Sequence, residues 1–155
     1  MDIKTETTLN ILLADDNENE HFFFKHAVKR LNIPADLHTV DGGVALMKYM
    51  SNDRNKLPHI LFLDINMPLK NGKECLASLR SDPKFDEVSI VMYSTSDAQK
   101  DIDETYDLGA DLYLQKPTVM GDLPVILKAV FAKYRSSNFK PKSRDKYLIS
   151  ISADH

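Results

Sequence analysis

A single cysteine, Cys75, excludes an internal disulfide framework, and five scattered histidines beside it offer no spaced ligand set for a structural zinc. No apolar run approaches the roughly 20 residues that span a bilayer. The opening Met-Asp-Ile-Lys-Thr-Glu-Thr-Thr lacks the basic start and apolar stretch of a signal peptide. A cytoplasmic chain is the expectation. An excess of one charge sign is also missing, because charged residues make up 28% while the formal net charge is only −3, too mild for a nucleic-acid binder or a disordered chain. Neither a nucleic-acid nor a membrane partner is expected. There is no internal repeat and no low-complexity tract. What remains is 155 residues with 43% hydrophobic content, the size of one domain with one ordinary core.

Short apolar runs recur at intervals of about 20 to 30 residues. They are Ile11 to Ala14, Leu37 to Val40, Ile60 to Leu63, Ile90 to Tyr93 and Leu112 to Leu114. Between them lie segments with helical spacing, clearest in Phe24, Ala27, Val28 and Leu31, and again in Leu123, Ile126, Leu127, Val130, Phe131 and Tyr134. Continuously apolar strands separated by helices are what a parallel sheet covered on both faces requires. The pattern predicts an α/β fold, a doubly wound five-stranded parallel sheet with helices on both faces and right-handed crossovers. Punctuation agrees: Gly42-Gly43 opens the second helix, Asn71-Gly72 the third, Gly109-Ala110 closes the fourth, and Lys116-Pro117 stops the fifth strand.

Ligands of open α/β sheets bind at the carboxyl ends of the strands. There the first strand ends in Asp15-Asp16, the third in Asp64-Ile65-Asn66-Met67-Pro68, the fourth in Ser94-Thr95 and the fifth in Lys116-Pro117. Each residue alone reads equally well as a helix cap, a turn residue or a solvated charge. All of them at successive strand ends do not. Clustered carboxylates repel unless a hard divalent cation, with Mg²⁺ the expected one, takes them as oxygen ligands. With the cluster neutralised, an aspartate can attack phosphorus and form an aspartyl phosphate, while Lys116 and Ser94 stabilise the phosphoryl oxygens.

These residues, in this order from Asn10 to Tyr134, resemble the receiver domain of two-component response regulators. The resemblance implies the flavodoxin-like strand order 2-1-3-4-5, and residues 1–9 as an N-terminal extension, 10–134 as the receiver and 135–155 as a basic tail with no output domain. It implies that Asp64 is the phosphoacceptor, phosphorylated by a histidine kinase or a histidine phosphotransfer protein. Mg²⁺ would be held by Asp16, Asp64 and the carbonyl of Asn66, with Asp15 nearby or acting through water. Ser94 and Tyr113 would be the switch pair, Tyr113 turning inward and reshaping the face of the fourth helix, fifth strand and fifth helix toward a downstream protein. Such a chain is a signalling switch rather than an enzyme, and a homodimer through that face is open, although an acidic fourth helix opposes symmetric pairing. Leu57-Pro58-His59 and Arg80-Ser-Asp-Pro-Lys resemble the stand-alone group associated with hybrid kinases and phytochromes.

Three other readings share parts of this pattern. A flavin or nucleotide module needs a Gly-, Ser- or Thr-rich loop after the first strand, where Asp15-Asp16-Asn17-Glu18 would repel phosphate. A phosphotransferase of the haloacid dehalogenase type would carry an aspartate at the position of Asn66 as acid/base. A degenerate receiver acting purely by binding would dispense with the residues that phosphorylation needs, all of which are present.

From Lys133 onward six Lys/Arg face two Asp, a net of +4, leaving −7 on the residues before it. The tail reads as a solvated linker, with Tyr147 to Ile151 as a run of strand propensity that a sheet edge could accept. The fourth helix carries Asp97, Asp101, Asp103, Glu104 and Asp107 around an apolar pair, Ile102 and Tyr106, and is expected to be loosely anchored. Docking of the basic tail on this acidic helix suggests itself. Exposed ion pairs contribute little, so two solvated charge runs are the expectation. Cys75 reads as a packing residue, and Phe22-Phe23-Phe24 as part of a wide buried face of the first helix.

Overall fold

Two of the helices start where a side chain receives the first free amides. Asn17 accepts the amides of Asn19 and Glu20 and opens α1 (Glu18–Arg30), with Glu18 and Glu20 in its first turn and Lys29 and Arg30 in its last, as the helix dipole favours. Asn71 and Glu74 form a reciprocal capping box at the start of α3 (Gly72–Arg80). Between them lies α2 (Gly43–Ser51). Then come α4 (Gln99–Leu108), ended by Gly109 at a φ of 106°, and α5 (Leu123–Ser137). A one-turn α6 (Arg144–Tyr147) follows. The computed structural model describes residues 7–149.

The strands are β1 (Leu9–Ala14), β2 (Ala35–Val40), β3 (Ile60–Leu63), β4 (Ser89–Ser94), β5 (Leu112–Gln115) and β6 (Leu148–Ile149). They form one sheet in the order β2-β1-β3-β4-β5-β6, with every pair parallel. The flavodoxin-like order of the first five strands matches the expectation. The sheet has six strands rather than five. Both faces are covered: Phe24, Ala27 and Val28 of α1 pack with Leu123, Ile126, Leu127, Val130 and Phe131 of α5 on one. Leu46 and Met50 of α2, Cys75, Leu76 and Leu79 of α3 and Ile102 of α4 pack on the other. Central β3 and β4 are buried along their whole length, which is why both read as unbroken apolar runs.

Three expectations are corrected. The tail is not a solvated linker, because Phe139 and Tyr147 are buried in the two cores and β6 adds parallel to β5, Leu148 beside Tyr113 and Ile149 beside Leu114. Aromatic burial decides this, where charge alone would not have. Residues Ser150 and Ile151 of the expected strand lie outside the described residues. Helix α4 is not loosely anchored: Lys73 of α3 bridges Asp101 and Glu104 at 2.6 Å each on one side, and the tail holds the other. Only Phe24 of the phenylalanine triplet is buried, while Phe22 is 65% and Phe23 39% exposed. Three consecutive helical positions span about 200° of arc, wider than the face α1 presents to the sheet.

Candidate functional site

The strand order reverses on either side of β1, so the loops after β1 and β3 diverge and leave a crevice at their carboxyl ends. Asp15 follows β1 directly. Its amide donates to the Val40 carbonyl at 3.2 Å, and its buried carboxylate accepts the Asn17 amide on Oδ1 at 3.0 Å. Asp64 follows β3, held by a 3.0 Å bond from its amide to the Ala14 carbonyl. Asp16 is exposed at the rim. Gly72 opens α3 against the Asp64 backbone so closely that a Cβ there would collide with the Asp64 carbonyl. The backbone after the acidic strand end is thus pressed into place by a position that only glycine fits.

Carboxylate oxygens of Asp15, Asp16 and Asp64 all lie within 4.8 Å of one another. Burial drives the Asp64 pKa up from 3.8 to about 6; Lys116 opposes this, the Asp15 charge adds to it, and the amides of Ile65 and Asn66 hold it down. Three converging hard oxygen donors, one of them destabilised as an anion, are a donor set that suits a divalent cation such as Mg²⁺.

Lys116 enters from the end of β5, its amide bonded to the Ser94 carbonyl at 2.8 Å. Its ammonium donates to Asp15 Oδ2 at 2.8 Å and lies 3.8 Å from Asp64 Oδ2. Ser94, fully buried at the end of β4, accepts the Ser96 amide on Oγ at 3.2 Å. The Tyr113 side chain is inward and buried, its hydroxyl donating to the Ser96 carbonyl at 2.9 Å. Burial raises the Tyr113 pKa, and Ser96 and Ser94 bear on the same hydroxyl from the other direction.

Asp15, Asp16, Asp64 and Lys116 thus converge on one crevice, with Asn66 two residues beyond Asp64 in the loop after β3 and the Ser94–Tyr113 pair on the next two strands. Two neighbours are absent from the sequence reading. Glu20 lies 3.9 Å from Lys116, reaching it because α1 starts directly after the acidic pair; a carboxylate in the first turn of that helix was the available signal. The Lys116 ammonium lies 5.3 Å from the centroid of the Tyr93 ring, which is buried between Phe24 and Phe62. Among the described residues, the buried Tyr93 hydroxyl has no hydrogen-bond partner. Burial pushes its pKa well above the usual range, with Glu20, Asp15 and Asp64 adding to the rise. Cys75 is buried against the Gly43 carbonyl and its thiol is pushed up to about 11, which suits a packing residue. Among the described residues, no helix is long and apolar enough to cross a membrane.

Known proteins share both the sequence and the fold. The response regulator Rcp1 of Synechocystis is 27% identical over 117 residues, covering 73% of this chain and 80% of Rcp1. The phosphorylated cyanobacterial phytochrome response regulator RcpA is 29% identical, with a TM-score of 0.75 over 85% of this chain and 96% of RcpA. Response regulator RPA3017, of red light signalling in R. palustris, is 26% identical, with a TM-score of 0.74 over 87% of this chain and 98% of RPA3017. The response regulator receiver domain matches residues 11–128. Acidic crevice, strand order and matched length coincide over the same part of the sequence, and the chain belongs to the response regulator receiver family, the signalling switches of two-component systems.

Proposed function

We propose that this chain is a phosphorylation switch in which Asp64 accepts a phosphoryl group, in a Mg²⁺-dependent reaction, from a histidine kinase or a histidine phosphotransfer protein. The observation that carries the reading is the Asp64 carboxylate, buried yet flanked by a second buried aspartate, an exposed one and an ammonium at 3.8 Å. A structural aspartate needs one cation. Three carboxylates around one lysine leave negative charge to be met by something that binds.

At neutral pH a group with a pKa of about 6 is mainly ionised. An oxygen of Asp64 then bonds to phosphorus as the P–N bond of a donor phosphohistidine breaks, and the electron pair leaves with the imidazole, which takes up a proton. Lys116 supplies positive charge to the phosphoryl oxygens, and the Ser94 hydroxyl a hydrogen bond. Asp16 and Asp64, with the Asn66 carbonyl, would hold the cation and Asp15 would stand beside it; when bound, it neutralises the carboxylates and the incoming oxygens.

Ser94 and Tyr113 carry the change outward. Because β6 covers the edge of β5, the surface offered to a partner is formed by α4, the tail and α5 rather than by a bare fifth strand. The association of RcpA and RPA3017 with phytochrome and red light makes a phytochrome-linked histidine kinase the donor class to try first.

The test is intact mass after incubation with acetyl phosphate, with and without Mg²⁺. One added phosphoryl group that requires Mg²⁺ is expected. A folded protein that stays unmodified in Mg²⁺ would point to a receiver that works by binding alone.

A further inference from the structure

Tyr113 is wholly buried, and one of the side chains that covers it comes from the tail. The Tyr147 ring meets Tyr113 at 6.0 Å and 63°, and Tyr106 of α4 at 5.2 Å and 76°, both edge-to-face. Its hydroxyl donates to Thr105 Oγ1 at 2.7 Å.

The chemistry of α4 explains why the tail is held there. The last turn of this helix has no basic residue, and Asp107 adds negative charge at the end where the helix dipole is already negative. The tail supplies the missing cations. Arg144 reaches Asp103 at 3.0 Å and Asp107 at 2.9 Å. Lys142 donates to the Tyr106 carbonyl at 2.9 Å and sits 4.1 Å from the centroid of the Tyr106 ring. The Arg144 pairs are half-exposed and contribute little singly. The buried ring of Tyr147 therefore carries most of the docking.

From Tyr147 a short chain of contacts runs to the phosphoryl site. Tyr113 donates to the Ser96 carbonyl, the Ser96 amide donates to Ser94 Oγ, and Ser96 Oγ donates to Asp101 Oδ2 at 2.5 Å. Whatever fixes Tyr113 also fixes the loop that aims Ser94.

We propose that the tail is an intramolecular ligand of the α4–β5 face and that its Tyr147 is a positioning residue, holding Tyr113 inward and so keeping Ser94 placed for a phosphoryl group on Asp64. The inference rests on the phosphoacceptor reading of Asp64. By reciprocity, tail docking and phosphorylation favour one another.

The experiment uses the full chain labelled with 3-fluorotyrosine, whose six resonances include that of Tyr113, assigned by Tyr113→Phe. Without phosphodonor, Tyr147→Ala should move the Tyr113 resonance toward its solvent-exposed position, while Tyr147→Phe, which keeps the ring, should not. Arg144→Glu puts a further carboxylate beside Asp103 and Asp107 and should shift it the same way to a smaller extent; should Tyr147→Ala not fold, Arg144→Glu decides. With acetyl phosphate and Mg²⁺, phosphorylation of Tyr147→Ala should be about threefold to tenfold slower than wild type, the range set by losing one aromatic pair. An unmoved Tyr113 resonance overturns the proposal, as does a moved resonance with an unchanged phosphorylation rate. Loss of the docked signal on dilution also overturns it, since the occupant would then be a second copy. A wild type that is never phosphorylated sinks the Asp64 reading instead, and the fluorine spectra then decide the Tyr147–Tyr113 contact alone.

Discussion

The Lys116 ammonium lies 2.8 Å from Asp15 Oδ2, joining two residues 101 positions apart, with Asp15 buried and Lys116 half-buried at the mouth of the crevice. Without that cation, Asp15 and Asp64 would face each other unopposed. Removing one partner of a buried pair leaves an uncompensated charge, so Lys116→Met should cost about 3–5 kcal/mol in metal-free protein at neutral pH. Added Mg²⁺ should restore part of the loss. Urea denaturation in EDTA and in Mg²⁺ measures both, and an unchanged midpoint in EDTA would count against the charge balance described.

Asp64 ionises at an energetic cost. Its folded pKa of about 6 stands above the ordinary 3.8, so between those values the folded state holds a proton that the unfolded chain releases. Stability therefore falls as pH rises through that window, and the loss is complete above it. Asp64→Asn should stabilise the metal-free protein by on the order of 2 kcal/mol at pH 7.5, with the advantage fading toward pH 4. Thermal melts of both proteins across pH give the comparison; parallel curves at every pH would refute the assignment.

Removal of the divalent cation should be visible as lost stability. At a Mg²⁺ concentration about 100 times Kd, the wild type should gain about 2.7 kcal/mol. Exposed Asp16 belongs to the oxygen cluster without being part of the core. Asp16→Ala should abolish most of that gain while leaving the melt in EDTA almost unmoved. Calorimetric titration checks the affinity directly, and retention of wild-type Mg²⁺ affinity would exclude Asp16 as a ligand.

Arg80 ties the end of α3 to the approach to β4 and β5. Its guanidinium donates to the carbonyls of Gly109 (2.8 Å), Phe85 (3.1 Å) and Val88 (2.9 Å) and to Asp111 Oδ2 at 2.8 Å. Asp111 also accepts the Ile90 amide at 2.8 Å. Arg80→Ala should cost about 3 kcal/mol, the low end for breaking a buried pair, because exposed Lys140, 3.6 Å from Asp111 Oδ1, keeps the carboxylate partly paired, and Arg80→Lys should recover little, because an ammonium lacks the planar fork. Urea midpoints of the two variants test this; full rescue by lysine would show that charge alone matters.

The alternation of strands and helices and the placing of Asp15, Asp64, Ser94 and Lys116 at strand ends were legible because they depend on local periodicity and on turn residues adjacent in sequence. Glu20 was signalled only as a first-turn carboxylate of α1, and Tyr93 not at all, because its ring meets Lys116 through the pairing of β4 with β5, which no local pattern encodes. The tail shows a different limit: the acidic fourth helix and basic tail were visible as complementary charges, but docking is decided by a ring in position 147 that fits against Tyr106 and Tyr113, residues 41 and 34 positions away. In the phenylalanine triplet, three apolar residues suggested a wide buried face, whereas the width of the contact with the sheet admits Phe24 alone.

The most direct measurement locates the phosphoryl group on the chain. Protein treated with acetyl phosphate and Mg²⁺ is reduced with borohydride, which converts an acyl phosphate into the alcohol, and the digested peptides are sequenced by mass spectrometry. Homoserine at position 64, absent without Mg²⁺ and absent in Asp64→Asn, is the result the account predicts. Homoserine at Asp15 or Asp16, or at none of the three in folded protein, would contradict it.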